Sequence, residues 1–528
     1  MTIGFVMRAI FLTWLSILLG ASALAVGCLS ADQVELVIVS TEPVAGAPAP
    51  DALRVRIFEV ATGEQVISQT VNSAEGSLAG LGALRTGVTY ALAFEAQYAS
   101  GTCAADRAVG VSLPFVHRDG GYSIPIQVGC ADEFGRTLSQ PIEARLAAGL
   151  ETAVDGSVVL AGGVPDIELR TDNLEVTETV PLVERYAPFA GGFSASGTML
   201  TARAFPALQA VPQGGVAVFG GVVPGLPACE ATVELIVGSA STATGSLGTP
   251  RCFADAVLLP AVSRLVVGGG SNFPAIRLAD FEAFDLDAQP LPDSGIQGLV
   301  YREAPRFVAL GDSQTMLAIG GVDAASGGPV VEAVHFGEEC PQGEAPCTFR
   351  VPAAGLDEQG LIATAATYVE CPEGGGTVYI TGGITGAGDT NRALDQILCI
   401  RQEADPAEMR VVRAGTLPEP RARHEMVVVR GTSPRLLIVG GGRTTSITSN
   451  LLDDALLVPV DPCACVESSP QVLERIPIPF TGSAVFHQLT TLQDGSVLLV
   501  GGARIFNEQG AVRYQALGEA ALFVPEIP

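Results

Sequence analysis

Seven times in this chain an apolar run ends in a pair of glycines: Val158–Gly163, Val216–Gly221, Arg264–Gly269, Met316–Gly321, Val378–Gly383, Leu436–Gly441 and Val497–Gly502. The first glycines of successive pairs stand 58, 48, 52, 62, 58 and 61 residues apart. Such a period belongs to repeat architectures, where each unit buries its apolar face only against its neighbours. Glycine makes up 62 of 528 residues, so composition alone supplies about seven glycine pairs. Four apolar residues leading into a chance pair are expected only roughly 0.4 times. Five of the seven runs meet that test, and Arg264 and Thr381 break the other two. A second mark is independent. Arg145, Arg203, Arg251 and Arg423 each stand 17 residues before the first glycine of their pair.

The runs are too short for helices and read as buried strands. Apolar stretches such as Phe205–Val211 and Met426–Val429 precede them, across turn signals such as Asp155-Gly156 and Asp494-Gly495. A third apolar run follows each pair, as at Phe281–Leu286, Ile397–Ile400 and Ala520–Val524. This predicts four-stranded blades, with the glycine-pair run as the inner strand where blades crowd an axis. Only 26 residues follow Gly502, too few for two further strands. Phe134–Leu138, just before the first repeat, is therefore expected to complete the last blade and close the ring.

These glycine pairs and arginines, with Pro420-Arg421-Ala422-Arg423-His424 as the nearest local match, make residues 134–528 resemble the kelch-repeat family of β-propellers. The family's tyrosine and tryptophan after the glycine pair are missing. The single tryptophan is Trp14, and Phe284-Asp285 is the nearest echo. The expected fold is all-β: a seven-bladed kelch-like β-propeller over 131–528, or six-bladed if one repeat is degenerate, preceded by a small Ig-like β-sandwich. Alternating runs such as Leu53–Val60, Val88–Tyr98 and Tyr122–Val128 place that sandwich over 32–130.

Residues 1–31 read as a signal peptide and tether. The stretch 9–31 carries no charge, and Ala9–Leu19 suits a signal core. Leu24-Ala25-Val26-Gly27-Cys28 resembles a bacterial lipoprotein box, which implies lipidation at Cys28 and an exported, membrane-anchored chain. Plain secretion and an uncleaved anchor are the other readings. Leu29 after the cysteine, by the same resemblance, implies an outer-membrane or cell-surface address. Removing Cys28 from 11 cysteines leaves an even ten. Sequence neighbours suggest pairs Cys103–Cys130, Cys229–Cys252, Cys340–Cys347 and Cys371–Cys399, leaving Cys463 and Cys465, too close to bridge each other without strain. Metal is the rival reading, but zinc-type spacing is absent.

A net charge of −27 repels nucleic acid. No lysine is present, so all 29 basic residues are arginine. The expected role is a noncatalytic binding or scaffold module at the cell envelope, without cofactor or metal. Its partner would be a protein or glycan at the propeller loop face. Arg145, Arg203, Arg251 and Arg423 would lie near that face, where guanidinium groups bind carboxylate or sulfate, unless they pair within the ring. The alternative that the resemblance implies is a kelch-propeller enzyme such as a copper oxidase or sugar isomerase. Copper needs clustered His, Tyr and Cys ligands, whereas His117, His335, His424 and His487 are scattered over the chain. No GxSxG, HExxH, P-loop or dinucleotide fingerprint occurs.

Overall fold

The computed structural model describes residues 34–526 apart from 73–83, 99–100, 171–172, 225–227, 273–275, 303, 313, 322–329, 338–345, 354–360, 386–390, 432, 447–448, 467–473, 483–484 and 509–510. Cys28, the signal segment and Cys340 lie outside the described residues. The described elements are strands and short 3-10 turns.

Each glycine-pair run sits in its own four-stranded antiparallel sheet. In the second repeat the strands are Ala207–Ala210, Val216–Phe219, Thr232–Val237 and Ala240–Ser246. In the sixth they are Glu425–Val429, Arg435–Val439, Asp454–Pro459 and Glu474–Pro477. The first strand of each such sheet touches the first strands of the sheets before and after it, and the seventh touches the first. This corrects one expectation. The glycine-pair run is the second strand, and the strand before it lines the axis. The reason is burial: the run is covered on both faces, with Val216, Ala217, Val218 and Phe219 all inaccessible. The axial strand keeps polar residues on its open side. Apolar clusters fill the spaces between neighbouring sheets all round, as between repeats 2 and 3 through Phe219, Leu265 and Phe284. The fourth strands, such as Ala240–Ser246, carry no apolar stripe and left no sequence signal.

Glycine is required where one repeat meets the next. Gly162 has φ 68°, and a Cβ there would collide with Arg203 O. That approach lets Gly163 N donate to Arg203 O at 2.9 Å. The same bond recurs from Gly221 to Arg251 O at 2.7 Å, Gly321 to Leu361 O at 2.8 Å and Gly383 to Arg421 O at 2.8 Å. The arginine side chain then turns into its own repeat. Arg203 donates to Gly220 O and Thr232 O and pairs with Glu234, both side chains being fully buried. Arg145–Glu184, Arg251–Glu282 and Arg302–Glu332 repeat the arrangement, and Arg421 uses Asp454. In the third repeat the left-handed glycines are Gly269 and Gly270, one residue beyond the expected pair.

The strand before the first repeat completes the seventh sheet, although the described residues after Gly502 hold three strands, two of them in an accessory sheet. Glu133–Arg136 pairs antiparallel with Ala520–Val524, placing Phe134 opposite Phe523. Asp132 clasps Arg435 through both carboxylate oxygens, at 2.6 and 2.7 Å, and accepts from Glu526 N. Ahead of the ring, Val34–Ser40, Tyr122–Cys130, Arg107–Val111, Thr89–Gln97, Ala52–Glu59 and Gln65–Asn72 form one hydrogen-bonded path. Tyr122–Cys130 serves two ladders, parallel to Val34–Ser40 and antiparallel to Arg107–Val111.

Cys103–Cys130 and Cys229–Cys252 are bonded as sequence neighbours. Cys371–Cys399 is not. Cys371 joins Cys463 and Cys399 joins Cys465, so two disulfides tie the fifth repeat to the loop Asp461–Val466 of the sixth. The ring packs that loop against the fifth sheet, where Tyr379 donates to Asp461 O at 2.7 Å. Cys347 is also bonded, to a partner outside the described residues. Peptide mapping without reduction is expected to recover the 371–463 and 399–465 crosslinks. Glu234→Gln, which strands a buried guanidinium, is expected to cost about 3–5 kcal/mol in urea unfolding.

Candidate functional site

The segment leading into each axial strand turns through a left-handed residue. Ala147, Phe205, Phe253, Ala304, Ala363, Arg423 and Phe486 have φ between 46° and 58°. None is glycine, and each costs roughly 1–2 kcal/mol of backbone strain. The kink recurs because it swings the chain from the glycine-pair face into the axial strand. It also sets these seven residues around one mouth of the channel. Phe205 packs on Phe253 at 4.8 Å and on Phe486 at 6.0 Å. Fully buried Tyr514 meets Phe486 edge-on at 5.3 Å. Tyr514 belongs to an accessory sheet of Asp166–Arg170, Asn173–Glu175, Ala503–Glu508 and Ala511–Ala516, built from the segments after the first and last glycine pairs. That sheet roofs one side of the mouth.

Beneath the mouth the channel carries charge. Asp255, Arg306 and Glu425 open the first strands of repeats 3, 4 and 6. Arg306 reaches past the fifth repeat, where Ala365 leaves room, and donates to the Glu425 carboxylate and to Thr364 O at 3.4 Å. Their side chains remain 35% and 25% exposed, so solvent reaches the pair. Asp255 accepts from Phe307 N at 2.7 Å and Ala256 N at 2.9 Å. Glu151, on the first strand of repeat 1, accepts from Ala210 N at 3.2 Å. Burial pushes the Glu151 carboxyl up to about 7, with the Asp255 charge adding to the rise. Burial likewise raises Asp255, while the adjacent Glu425 raises Arg306. The channel thus holds a carboxyl that changes charge near neutral pH, of the kind suited to general acid–base chemistry, and elsewhere on its wall the Arg306–Glu425 pair.

The residues expected at a ligand face are placed elsewhere, with one exception. Arg145, Arg203 and Arg251 are buried in the ion pairs that hold the ring. Arg423 stands at the mouth and donates to Thr445 O at 3.0 Å, while Arg421 takes the inter-repeat position. The histidines are dispersed. His117 bonds Tyr122 Oη at 2.7 Å in the first domain, and His335 bonds Thr315 Oγ1 at 2.8 Å. His424 bonds Thr381 Oγ1 at 2.7 Å, and burial pushes its pKa down to about 3. His487 is buried beside the seventh axial strand. Among the described residues no three His, Cys, Asp or Glu side chains converge as metal ligands. The described residues do not fit a copper centre.

No protein-family model matches the chain, and no curated protein matches it. Among solved structures it is similar to a fungal alcohol oxidase of the AA5 family in complex with copper. That likeness has 14% identity, covers 72% of this chain and 75% of that one, and has a TM-score of 0.48. It is also similar to YjhT, at 12% identity over 63% of this chain and 99% of that one, with a TM-score of 0.43. The expectation of a noncatalytic module that is not an enzyme is corrected here. The first neighbour is an enzyme, and the channel holds a carboxyl, Glu151, whose pKa is raised to about 7. At these identities neither neighbour's chemistry transfers to this chain.

The Glu151 shift fixes a pH dependence. Its folded value of about 7 lies above the ordinary 4.5. The folded state therefore loses stability as pH rises from the ordinary value through the folded one, and none is lost below. Glu151→Gln is expected to stabilise the protein by about 2–4 kcal/mol at pH 8 and by nothing at pH 4, measured by thermal unfolding.

Proposed function

We propose that residues 131–528 are a seven-bladed kelch-like β-propeller behind a small Ig-like β-sandwich at 32–130, and that the chain is an envelope enzyme working by proton transfer. It acts on a small polar substrate such as a sugar, in isomerisation rather than oxidation. The observation carrying this reading is Glu151, poised to ionise near pH 7 in the channel that also holds the Arg306–Glu425 pair. Glu151 takes a proton from carbon or oxygen of the substrate and returns it. Arg306 supplies N–H donors to the oxyanion that develops, and Glu425 keeps that guanidinium in place.

Export is supported by the disulfides and by the lipoprotein-like box ending at Cys28, which gives residues 1–31 as signal and tether. An outer-membrane or surface lipoprotein is the reading that Leu29 favours, with periplasmic or secreted protein as the alternative. No helix among the described residues is long and apolar enough to cross a membrane.

The test is exchange spectroscopy. Purified full-length protein is mixed with a panel of reducing sugars in heavy water, and proton magnetic resonance follows anomer interconversion and deuterium entering carbon positions. At least one sugar is expected to react faster than in buffer, with a rate that climbs with pH through about 7. Glu151→Gln is expected to lower that rate by about 10²–10⁴-fold. Rates equal to buffer for the whole panel would sink the proposal.

A further inference from the structure

We infer that the first domain is a rigid pedestal, standing on the membrane and turning the glycine-pair face, with its channel mouth, away from it. This rests on the lipid-anchor reading of Cys28, and the rest is geometry. Val34–Ser40 runs parallel to Tyr122–Cys130, with Val34 opposite Tyr122 at one end and Ser40 opposite Val128 at the other. Among the described residues, the second end meets the ring. There Glu42 N donates to Arg136 O at 3.0 Å and Gln127 donates to Tyr186 Oη at 2.7 Å. Tyr122–Cys130 spans roughly 25 Å at the strand rise. Val34 therefore begins at the far end of the domain, and the five residues between Cys28 and Val34 reach at most about 20 Å.

The join to the ring has no slack. Cys130 passes through Ala131 and Asp132 into Glu133–Arg136, a strand of the seventh sheet. Asp132 is clasped by Arg435, and Arg107 pairs with Glu526. The docked side is also determined. Tyr186 lies opposite Val158, the start of a second strand, and Arg435 starts another. Second strands end at the glycine pairs, so the pedestal meets the face opposite to them. Phe205, Phe253, Arg423 and the channel acids then open to the aqueous side, where a dissolved substrate arrives without crossing the headgroup layer.

Energy transfer tests the orientation. The lipidated full-length protein is bound to vesicles of phosphatidylethanolamine and phosphatidylglycerol carrying a trace of headgroup-labelled acceptor lipid. A donor dye is placed at Val60→Cys, exposed at the far end of the pedestal, or at Ser449→Cys, exposed on the glycine-pair face. Arg118→Cys replaces the first variant if it fails to fold. Transfer several-fold higher from the pedestal site supports the inference. Equal transfer, or higher transfer from Ser449→Cys, overturns the orientation and leaves the anchor standing. A Cys28 peptide without added acyl mass, read by mass spectrometry, overturns the anchor and the inference together.

Discussion

Each repeat is fastened to the next by a backbone approach that a side chain would block. The glycine pair of one repeat meets the carbonyl that precedes the next axial strand, and a Cβ at Gly162 or Gly220 would strike that oxygen. The residue giving the carbonyl is in most cases an arginine whose side chain holds its own glycine carbonyl and a buried carboxylate. Contact between repeats and order within a repeat thus depend on one position. Buried ion pairs do not excel at stabilising a fold, because desolvation offsets most of the attraction. Their value here is positional. Five donors in a fixed fork set the start of the axial strand, and the channel lining inherits that placement.

The fifth repeat makes the channel uneven. Leu361 and Leu398, both fully buried, stand where repeats 1, 2, 3, 4 and 6 place an arginine and a carboxylate. Ala365 opens its axial strand, and through that gap Arg306 crosses to Glu425. The same repeat is joined to its neighbour by two disulfides. A ring of near-equal units gains a site only where the units differ. The acids and the arginine belong to the first, third, fourth and sixth repeats, while Ala207 and Ala365 open the axial strands of the second and fifth.

Much of the scaffold was legible because it is periodic. The succession of strands along each repeat, the strand near Phe134 and two of the crosslinks follow from apolar runs and cysteine spacing, while the place of the glycine-pair run one strand out from the axis does not. The arginine mark was legible only in part. Connections vary by a residue or two, so Arg302 and Arg421 stand 18 and 19 residues before their glycines and escaped a fixed spacing, which selected Arg423 instead. A carboxylate 30 to 39 residues beyond the arginine would have been a firmer guide, as in Arg145–Glu184 and Arg302–Glu332. The channel set was hidden because each member is an isolated charge in its own repeat. Aligned on the arginines, Asp255, Arg306 and Glu425 all fall four residues later. Proximity in sequence also misled the cysteines, since the ring brings Cys371 nearer to Cys463 than the chain does to Cys399.

The closing strand carries a consequence for how the molecule comes into being. Phe134 waits for Phe523, a partner made almost four hundred residues later, and Asp132 waits for Arg435. During synthesis the seventh sheet is therefore incomplete until Ala520–Val524 has emerged. Every earlier repeat can assemble against its neighbour as it appears, but the ring stays open, with an uncovered strand edge at each end. Emergence of Ala520–Val524 places it between Val497–Val500 and Glu133–Arg136 and completes the seventh sheet. A chain cut short before Ala520–Val524 leaves Val497–Val500 and Glu133–Arg136 each with an unpaired edge, prone to pair with a stranger.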